Sequence, residues 1–388
     1  MAGLIIKPRS RLLHGHDWVY ASDVTKVFGE PSDGDVVSLK DGKDRMLGSA
    51  IYNSRSQIVA RRFSRQRQGL DVDFFRRRIE RALAYRRRYA IDPRLCRLVC
   101  SESDGLPGVI VDRYGDCLVL QTLTLAMDQR KALLVQALVE TVQPRAIVER
   151  NDAPIRRAEG MELAGGVLLG EAALVEIDVN GVKFEVDPLH GQKTGFYLDQ
   201  IDNYRQVAAY APGRRVLDCF SNQGAFALAC GKAGAAAVTA VEISADGAKS
   251  ISAHAERNGL TVRVIEANVF DFLNAEERAE ARYDLIILDP PSFTKNREKL
   301  HDALRGYKEI HLRALKLLSP HGLLATFSCS HHISTALFSE MLRDALVDAK
   351  RSARQIKTLH QGLDHPVLLN LPETEYLKGW LLELAEGR

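Results

Sequence analysis

The chain has 388 residues, which is more than one ordinary hydrophobic core accommodates, so we expect two or three domains. Apolar residues make up 46% and charged residues 27%, and every long apolar run is interrupted, which excludes a membrane-spanning or low-complexity protein. The first residues contain no apolar signal segment, and the six cysteines form no Cys-x-x-Cys pair. We therefore expect a cytoplasmic protein with reduced thiols, no metal site and no membrane association.

Charge is distributed unevenly along the chain. The net charge is +3, but residues 1–95 carry +9 and the remainder carries −6. A basic segment beside a slightly acidic one indicates a module that binds a polyanion next to a module with another task. A solvated arginine-rich surface remains the alternative.

The first 70 residues predict a small β-barrel-like module. Short apolar runs at 36–39, 46–51 and 57–63 are separated by turn-forming residues such as those at 40–43. Arg55, Arg61 and Arg62 lie near the end of this module and are candidates for contacts with phosphate groups.

Residues 71–180 predict a second, α+β domain. It begins with a helix on which Phe75, Ile79 and Leu83 recur at helical spacing, while arginines at 76–78 and 86–88 occupy the polar side. These arginines either contact phosphates or are merely solvated. Near the end of the domain, the pair Asn180-Gly181 between two alternating runs predicts a hairpin with a type I′ turn.

Residues 181–388 predict a third domain with a parallel, doubly wound α/β sheet. Buried strands are expected at 216–220, 237–242, 262–265, 285–288 and 323–328, with helices at 225–233 and 245–258 between them. In such sheets, ligands bind at the carboxyl ends of the strands, near the point where strand order reverses.

Polar residues lie at or just after the carboxyl ends of the first three of these strands. Asp218 is followed by Phe220, Ser221 and Gly224; Glu242 ends the second strand, and Asn268 follows the third. A carboxylate at the second strand can accept hydrogen bonds from ribose hydroxyl groups, so the pattern indicates a nucleoside-type cofactor. The alternative is that Asp218 and Asn268 only cap the helices that follow them.

The fourth strand ends in the sequence Asp-Pro-Pro-Ser-Phe at residues 289–293. Two prolines stiffen the turn, which can present Asp289 to a planar base, with Pro290 and Phe293 as candidate substrate contacts. Cys329 follows the fifth strand and is expected at the same edge. A partly exposed thiolate there could add to C6 of cytosine and activate C5; an inert buried cysteine is the alternative.

These stretches resemble the bacterial ribosomal large-subunit RNA cytosine-5 methyltransferases that carry an N-terminal PUA domain. The resemblance covers essentially the whole chain and rests on residues 16–20, 102–108, 193–200, 289–293, 305–308, 327–330 and 364–366. It implies a PUA domain, a central α+β domain and a seven-stranded Rossmann-like methyltransferase domain, with S-adenosylmethionine as cofactor.

The resemblance also implies roles for particular residues. Tyr197 and Gln200 would contact the cofactor, Cys329 would be the nucleophile, and Asp289 would bind the cytosine. Members of the family often have Asp where this chain has Asn268, so the backbone of Val269 could recognise adenine instead. The fourth-strand motif lacks the second cysteine that other RNA cytosine-5 methyltransferases use for product release.

The sequence therefore predicts an S-adenosylmethionine-dependent enzyme that forms 5-methylcytosine in 23S ribosomal RNA through a Cys329 adduct. Two alternatives remain at this point. One is methylation of an exocyclic amine gripped by the Asp-Pro-Pro-Ser-Phe turn; the other is a non-catalytic RNA-binding or ribosome-assembly protein. The sequence leaves open the nucleotide that is methylated, the base that removes the C5 proton and the oligomeric state, a homodimer included.

Overall fold

The computed structural model describes residues 2–8, 10–191, 193–293 and 299–385. The chain falls into two compact units. The first unit comprises Met1–Ile177, Glu185–Asp199 and Leu363–Glu375, and the second comprises Asp178–Phe184, Gln200–Gly362 and Tyr376–Arg388. The first two predicted domains lie almost entirely in the first unit, and the boundary between them near residue 70 stays a prediction.

The first unit begins with a six-stranded sheet, as the short apolar runs predicted. Its strands are β1 (Gly3–Ile6), β2 (Trp18–Val19), β3 (Val24–Phe28), β4 (Val36–Asp41), β5 (Met46–Tyr52) and β6 (Ala60–Ser64), in the order β2-β6-β5-β4-β1-β3. Leu4, Ile6, Leu39 and Ala50 are buried in its core. The three strands that the sequence did not predict, β1 to β3, have two to five residues each, too few to show a clear alternation.

A second sheet and four helices complete most of the first unit. The strands are β7 (Leu95–Cys100), β8 (Val109–Tyr114), β9 (Cys117–Thr122), β10 (Ala146–Asn151) and β11 (Ala164–Leu169), in the order β11-β10-β9-β8-β7. The helices are α1 (Val72–Arg88), α2 (Leu125–Asp128), α3 (Lys131–Val142) and α4 (Ile155–Ala158).

Helix α1 starts where the sequence predicted. The Asp71 side chain accepts a hydrogen bond from the backbone N–H of Phe74 at 2.7 Å, which caps the helix. Phe75 and Ile79 are buried in a core that also contains Ile51 and Phe63 from the six-stranded sheet. The two predicted domains of this unit therefore share apolar contacts.

The hairpin predicted around Asn180-Gly181 is confirmed. Strands β12 (Val175–Val179) and β13 (Val182–Val186) flank a turn in which Asn180 has φ 55° and Gly181 has φ 83°. Positive φ at both central residues defines the type I′ turn.

The second unit is built on a seven-stranded sheet with helices between its strands. The strands are β14 (Arg215–Cys219), β15 (Ala237–Glu242), β16 (Arg263–Glu266), β17 (Tyr283–Leu288), β18 (Leu318–Ser328), β19 (Ser352–His360) and β20 (Lys378–Ala385). The helices are α5 (Ile201–Ala208), α6 (Ala225–Lys232), α7 (Ala245–Arg257), α8 (Val269–Arg278), α9 (Leu300–Leu317) and α10 (Thr335–Asp348).

The strand order is β16-β15-β14-β17-β18-β20-β19. The five predicted strands are parallel, but β20 runs antiparallel to both β18 and β19. The prediction of a seven-stranded Rossmann-like sheet is confirmed, whereas the expectation that the whole sheet is parallel is wrong for β20, since β19 runs in the same direction as β18. Strand order reverses at β14, which lies between β15 and β17, so the ends of these strands form the expected ligand edge.

Among the residues that the structure describes, no helix has the length and apolar character needed to cross a membrane.

Candidate functional site

The loop between β14 and α6 has an unusual backbone. Phe220 has φ 61°, Asn222 has φ 53° and Gly224 has φ 84°. Non-glycine residues rarely adopt positive φ, and such strained positions concentrate at ligand sites. Gly224 directly precedes the first residue of α6, so this loop brings backbone N–H groups to the switch point of the sheet.

Asp218 connects this loop to α6 through hydrogen bonds. Its Oδ2 atom accepts hydrogen bonds from Ser221 Oγ at 2.5 Å and from the backbone N–H of Ala227 at 3.1 Å. Asp218 is 1% exposed, and burial raises the pKa of its carboxyl to about 7, with a smaller contribution from the negative charges of Asp289 and Glu242. The helix-capping alternative is thus realised for this side chain; its predicted cofactor role stays a prediction.

Glu242 joins two loops at the end of β15. Its Oε2 atom accepts a hydrogen bond from the backbone N–H of Asn222 at 2.8 Å, and its Oε1 atom accepts one from the backbone N–H of Ser244 at 2.9 Å. Each carboxylate oxygen keeps a further lone pair. The carboxylate can therefore fix both loops and still accept hydrogen bonds from a ligand's hydroxyl groups.

Asn268 caps α8. Its Oδ1 atom accepts a hydrogen bond from the backbone N–H of Phe270 at 2.8 Å, and the residue is exposed, whereas Val269 is buried. The capping alternative is realised here too, and adenine recognition at these two positions stays a prediction.

Asp289 is oriented by a chain of buried amides. Gln200, which is 2% exposed, donates a hydrogen bond from Nε2 to Asp289 Oδ2 at 3.0 Å. Gln200 Oε1 in turn accepts from Asn203 Nδ2 at 2.6 Å, and the same nitrogen donates to the backbone carbonyl of His360 at 2.9 Å. The structure thus brings two predicted site residues, Gln200 and Asp289, together. Tyr197 lies in the first unit, where Lys193 Nζ is 3.8 Å from the centre of its ring.

The Asp-Pro-Pro-Ser-Phe turn is only partly accessible. Pro290 is buried, while Pro291 and Ser292 are exposed. The ring of Phe293 lies 6.2 Å from that of Phe220 and 4.6 Å from that of Tyr307, measured between centroids. The predicted base contacts of Pro290 and Phe293 stay predictions; Pro291 and Ser292 are the most accessible residues of the turn, and Asp289 and Phe293 are partly exposed.

Cys329 follows β18, which pairs in parallel with β17. Leu288 is opposite Thr326 in this pairing, so Asp289 and Cys329 emerge at the same edge, as the sequence predicted. All six cysteines are described and none forms a disulfide; Cys329 and Cys100 are partly exposed and the others are buried. Burial raises the pKa of Cys100 to about 12, which keeps that thiol neutral.

Two residues that sequence reasoning missed lie close to Cys329. Tyr307 of α9 is fully buried and accepts a hydrogen bond from Ser328 Oγ at 3.3 Å. Burial is the main cause that raises the pKa of its phenol, and the electrostatic effects of Cys329 and Asp289 raise that pKa further, so Tyr307 stays protonated. The sequence analysis included it only in the stretch 305–308 that carries the family resemblance, without a role.

The second missed residue is a buried lysine. Lys378 is opposite Ser328 in the antiparallel pairing of β18 and β20, and its Nζ donates a hydrogen bond to the backbone carbonyl of Ser330 at 2.8 Å. Its ammonium group therefore lies beside the segment that contains Cys329. No motif signals this residue, because the antiparallel strand that carries it was not predicted.

The predicted phosphate contacts in the first unit have different surroundings. The Arg61 guanidinium is 2.7 Å from Glu102 Oε1 and 5.0 Å from the centre of the Trp18 ring. Arg62 is buried and pairs with Asp17 at 2.7 Å. These contacts favour a structural role for Arg61 and Arg62. The side chain of Arg55 is 71% exposed, and its contact with phosphate stays a prediction.

The second unit fits a positively charged nucleoside cofactor. Asp218, Glu242 and Asp289 place three carboxyl groups at the ends of adjacent strands, and the charges of Glu242 and Asp289 add to burial in disfavouring ionisation of Asp218. Such an accumulation of negative charge favours a cationic ligand. Within the described residues, no group of three or more His, Cys, Asp or Glu side chains is arranged to hold a metal ion.

Comparison with known proteins gives the class. Residues 120–360 match the S-adenosylmethionine-dependent methyltransferase family, and residues 6–65 match the PUA-like domain. The chain therefore belongs to the S-adenosylmethionine-dependent methyltransferase family, and S-adenosylmethionine is its cofactor.

Individual relatives extend over nearly the whole chain. It is 40% identical over 386 residues to Ribosomal RNA large subunit methyltransferase I of Erwinia tasmaniensis, covering 97% of this chain and 98% of that protein. The protein of the same name from Escherichia coli is 38% identical over 378 residues, with 95% of each chain covered.

Solved structures agree with the fold. A proposed S-adenosylmethionine-dependent methyltransferase from Streptococcus mutans superimposes with a TM-score of 0.85 at 23% identity, covering 99% of this chain and 100% of that one. A second methyltransferase structure, complexed with SAH, gives a TM-score of 0.86 at 22% identity over 99% of this chain and 100% of that one.

Proposed function

We propose that this protein methylates C5 of a cytosine in large-subunit ribosomal RNA. The name shared by its full-length relatives supports the RNA substrate, and the PUA-like domain supports RNA binding. The observation that carries the choice of C5 is the partly exposed Cys329 at the strand end next to Asp289. A ribosomal RNA substrate would place the protein with ribosomes in the cytoplasm.

The cofactor would be held at the ends of β14, β15 and β17. Glu242 would accept hydrogen bonds from the ribose hydroxyls, and the backbone of the loop at 220–224 would approach the ligand closely. Asp218 would act through the loop that it fastens. S-adenosylmethionine supplies an electrophilic methyl group carried on a sulfonium, whose positive charge matches the three carboxyl groups nearby.

Cys329 would supply the nucleophile. Its thiolate would form a bond to C6 of the cytosine, which moves electron density to C5 and makes that carbon reactive toward a methyl group. The Lys378 ammonium beside this segment would favour the thiolate over the thiol. Asp289, fixed by the Gln200 amide, would bind the polar edge of the base.

The adduct must then be resolved. A base removes the proton from C5, the C5–C6 double bond re-forms, and the C6–sulfur bond breaks, which regenerates Cys329. Tyr307 does not fit the role of that base, because its buried phenol stays protonated. A water oriented by Asp289 is the base that the geometry supports best, because Asp289 is partly exposed at the same edge.

Bisulfite mapping of ribosomal RNA from cells with and without this protein tests the proposal. One cytosine in the large-subunit RNA should lose its resistance to conversion when the protein is absent and regain it on complementation. An unchanged cytosine map would contradict the proposal. A new methyl group on an exocyclic amine, detected by mass spectrometry of the same RNA, would instead favour the amino-group alternative.

A further inference from the structure

A cleft with a volume of about 940 Å³ opens within the first unit. Its lining comes from helix α1, from the residues that end β6 and follow it, from residues 102–105, and from residues 366–368 and 370. We call this feature the arginine cleft, because Arg65, Arg78, Arg81 and Arg88 line it. Arg78 and Arg88 are among the α1 arginines for which the sequence left phosphate contact open, and Arg62 also lines the cleft but is buried in an ion pair.

The carboxylates of the arginine cleft are already neutralised. Three acidic residues line it, and each has an arginine partner at 2.6–2.7 Å: Arg62 with Asp17, Arg61 with Glu102, and Arg86 with Asp104. These pairs fix the walls and contribute little net charge. The net charge of the cleft is therefore determined by its remaining charged side chains.

The four remaining arginines carry uncompensated positive charge. In the part of the chain that the structure describes, no carboxylate lies within ion-pair distance of Arg65, Arg78, Arg81 or Arg88. Arg78 is half-buried, donates a hydrogen bond to the Phe63 carbonyl at 2.7 Å and stacks over the Phe74 ring. Burial and the nearby Arg81 lower the pKa of Arg78, which shows that its surroundings lack a counter-charge. A bound anion would supply one.

The segment 366–368 gives the cleft an apolar wall. Pro366, Val367 and Leu368 line it, and the ring of Tyr85 adds an aromatic surface from α1. Ser103 Oγ donates a hydrogen bond to the Pro366 carbonyl at 2.7 Å, and this contact anchors the wall without a ligand. A cleft held open in this way binds with a small loss of conformational entropy.

We propose that the arginine cleft binds an unpaired segment of the ribosomal RNA substrate, with phosphates on the α1 arginines and bases against Tyr85 and the apolar wall. Single-stranded RNA is bound by this combination of a cationic track and stacking surfaces. A duplex hides its base faces and would leave the apolar wall without a partner. The inference rests on the proposed function and adds the site at which the RNA substrate is bound.

Charge-neutralising variants on two sides of α1 test the inference. Arg81 and Arg88 are seven residues apart and share the cleft side of the helix, whereas Arg76 and Arg87 lie on the other side and do not line the cleft. Binding of a fluorescent oligouridylate of about 15 nucleotides is measured by anisotropy for the wild type, for Arg81→Gln/Arg88→Gln and for the control Arg76→Gln/Arg87→Gln. Both variants lose the same charge from the same helix, and thermal unfolding confirms that both are folded.

The cleft variant should bind about 25-fold more weakly at 0.1 M salt, because each lost phosphate contact removes a factor of about 5 there. The slope of log affinity against log salt should fall by about 1.4, and the control should match the wild type. Equal affinities and slopes for the cleft variant and the control would overturn the inference. So would tighter binding of a duplex of the same length, or no RNA binding by the wild type.

Methyl transfer to ribosomal RNA separates this inference from the proposed function. If the wild type methylates the RNA, the cleft variant should show a raised KM for RNA with an unchanged kcat. If neither the wild type nor either variant methylates the RNA while the oligouridylate result is as expected, the proposed function fails and the cleft stands as an RNA site. If methylation is normal but the cleft variant behaves like the control, only the cleft assignment fails.

Discussion

Substitution of Glu242 by Gln tests the proposed cofactor site, because the structure defines both hydrogen bonds that this carboxylate accepts. The carboxylate accepts backbone hydrogen bonds from Asn222 at 2.8 Å and from Ser244 at 2.9 Å. A glutamine has one acceptor oxygen and turns an NH₂ group toward one of these N–H groups, so one partly buried donor loses its partner. That loss costs about 1–3 kcal/mol of stability, or about 4–8 °C in Tm for about 2 kcal/mol.

The same substitution weakens the predicted contact with the ribose. We expect S-adenosylmethionine affinity, measured by titration calorimetry, to fall by about 10- to 100-fold, since one charged acceptor becomes neutral. Glu266 provides a matched control: it is opposite Glu242 in the pairing of β15 and β16, and its side chain is exposed. Glu266→Gln should leave both Tm and affinity unchanged. If Glu242→Gln lowers Tm but binds the cofactor as the wild type does, Glu242 only holds the two loops and the reasoning is refuted.

Two further predictions follow from the same edge of the sheet. The Asp218 carboxyl has a pKa near 7 in the folded protein and about 3.8 when unfolded, so the folded state binds more protons between these values. The free energy of unfolding should therefore fall as pH rises from about 4 to about 7, and urea titrations of Asp218→Asn should show this slope reduced. Replacement of Lys378 by Met removes the ammonium beside Ser330 and should shift the pH midpoint of Cys329 alkylation upward by about one unit. An unchanged midpoint would limit Lys378 to holding the backbone.

The central strands β14, β15 and β17 of the second unit were predictable because they are buried on both faces. Continuous apolar runs marked them, and β15 was predicted with the bounds that the structure has, Ala237–Glu242. The antiparallel β20 was not predicted, since its position between β18 and β19 depends on pairing with strands distant in sequence. The rule for parallel sheets still placed Asp289 and Cys329 at one edge, because both follow parallel strands that are neighbours.

The sequence did not reveal side-chain partners that come from far along the chain. Arg61 and Arg62 are of the residue type that binds phosphate, but Arg61 pairs with Glu102 and Arg62 pairs with Asp17. No local sequence pattern predicts these ion pairs. The structure shows the Gln200 amide bound to Asp289, a contact that the sequence did not predict, and the cofactor contact of Gln200 stays a prediction. The type of a side chain indicates which ligands it can bind. Its hydrogen-bond and ion-pair partners in the folded protein determine whether it is available for that binding.

The central claim is that Cys329 forms a covalent bond with cytosine, and adduct trapping tests it most directly. RNA that carries 5-fluorocytosine at the target position cannot lose the C5 substituent, so the bond to C6 persists. The wild type and Cys100→Ala, which removes a thiol that burial keeps neutral, should both form a denaturant-resistant protein–RNA adduct in the presence of S-adenosylmethionine. Cys329→Ala should form none, should still bind the cofactor, and should methylate unmodified RNA more slowly by several orders of magnitude. An adduct that persists in Cys329→Ala, or a near wild-type rate of methylation by that variant, would contradict the account.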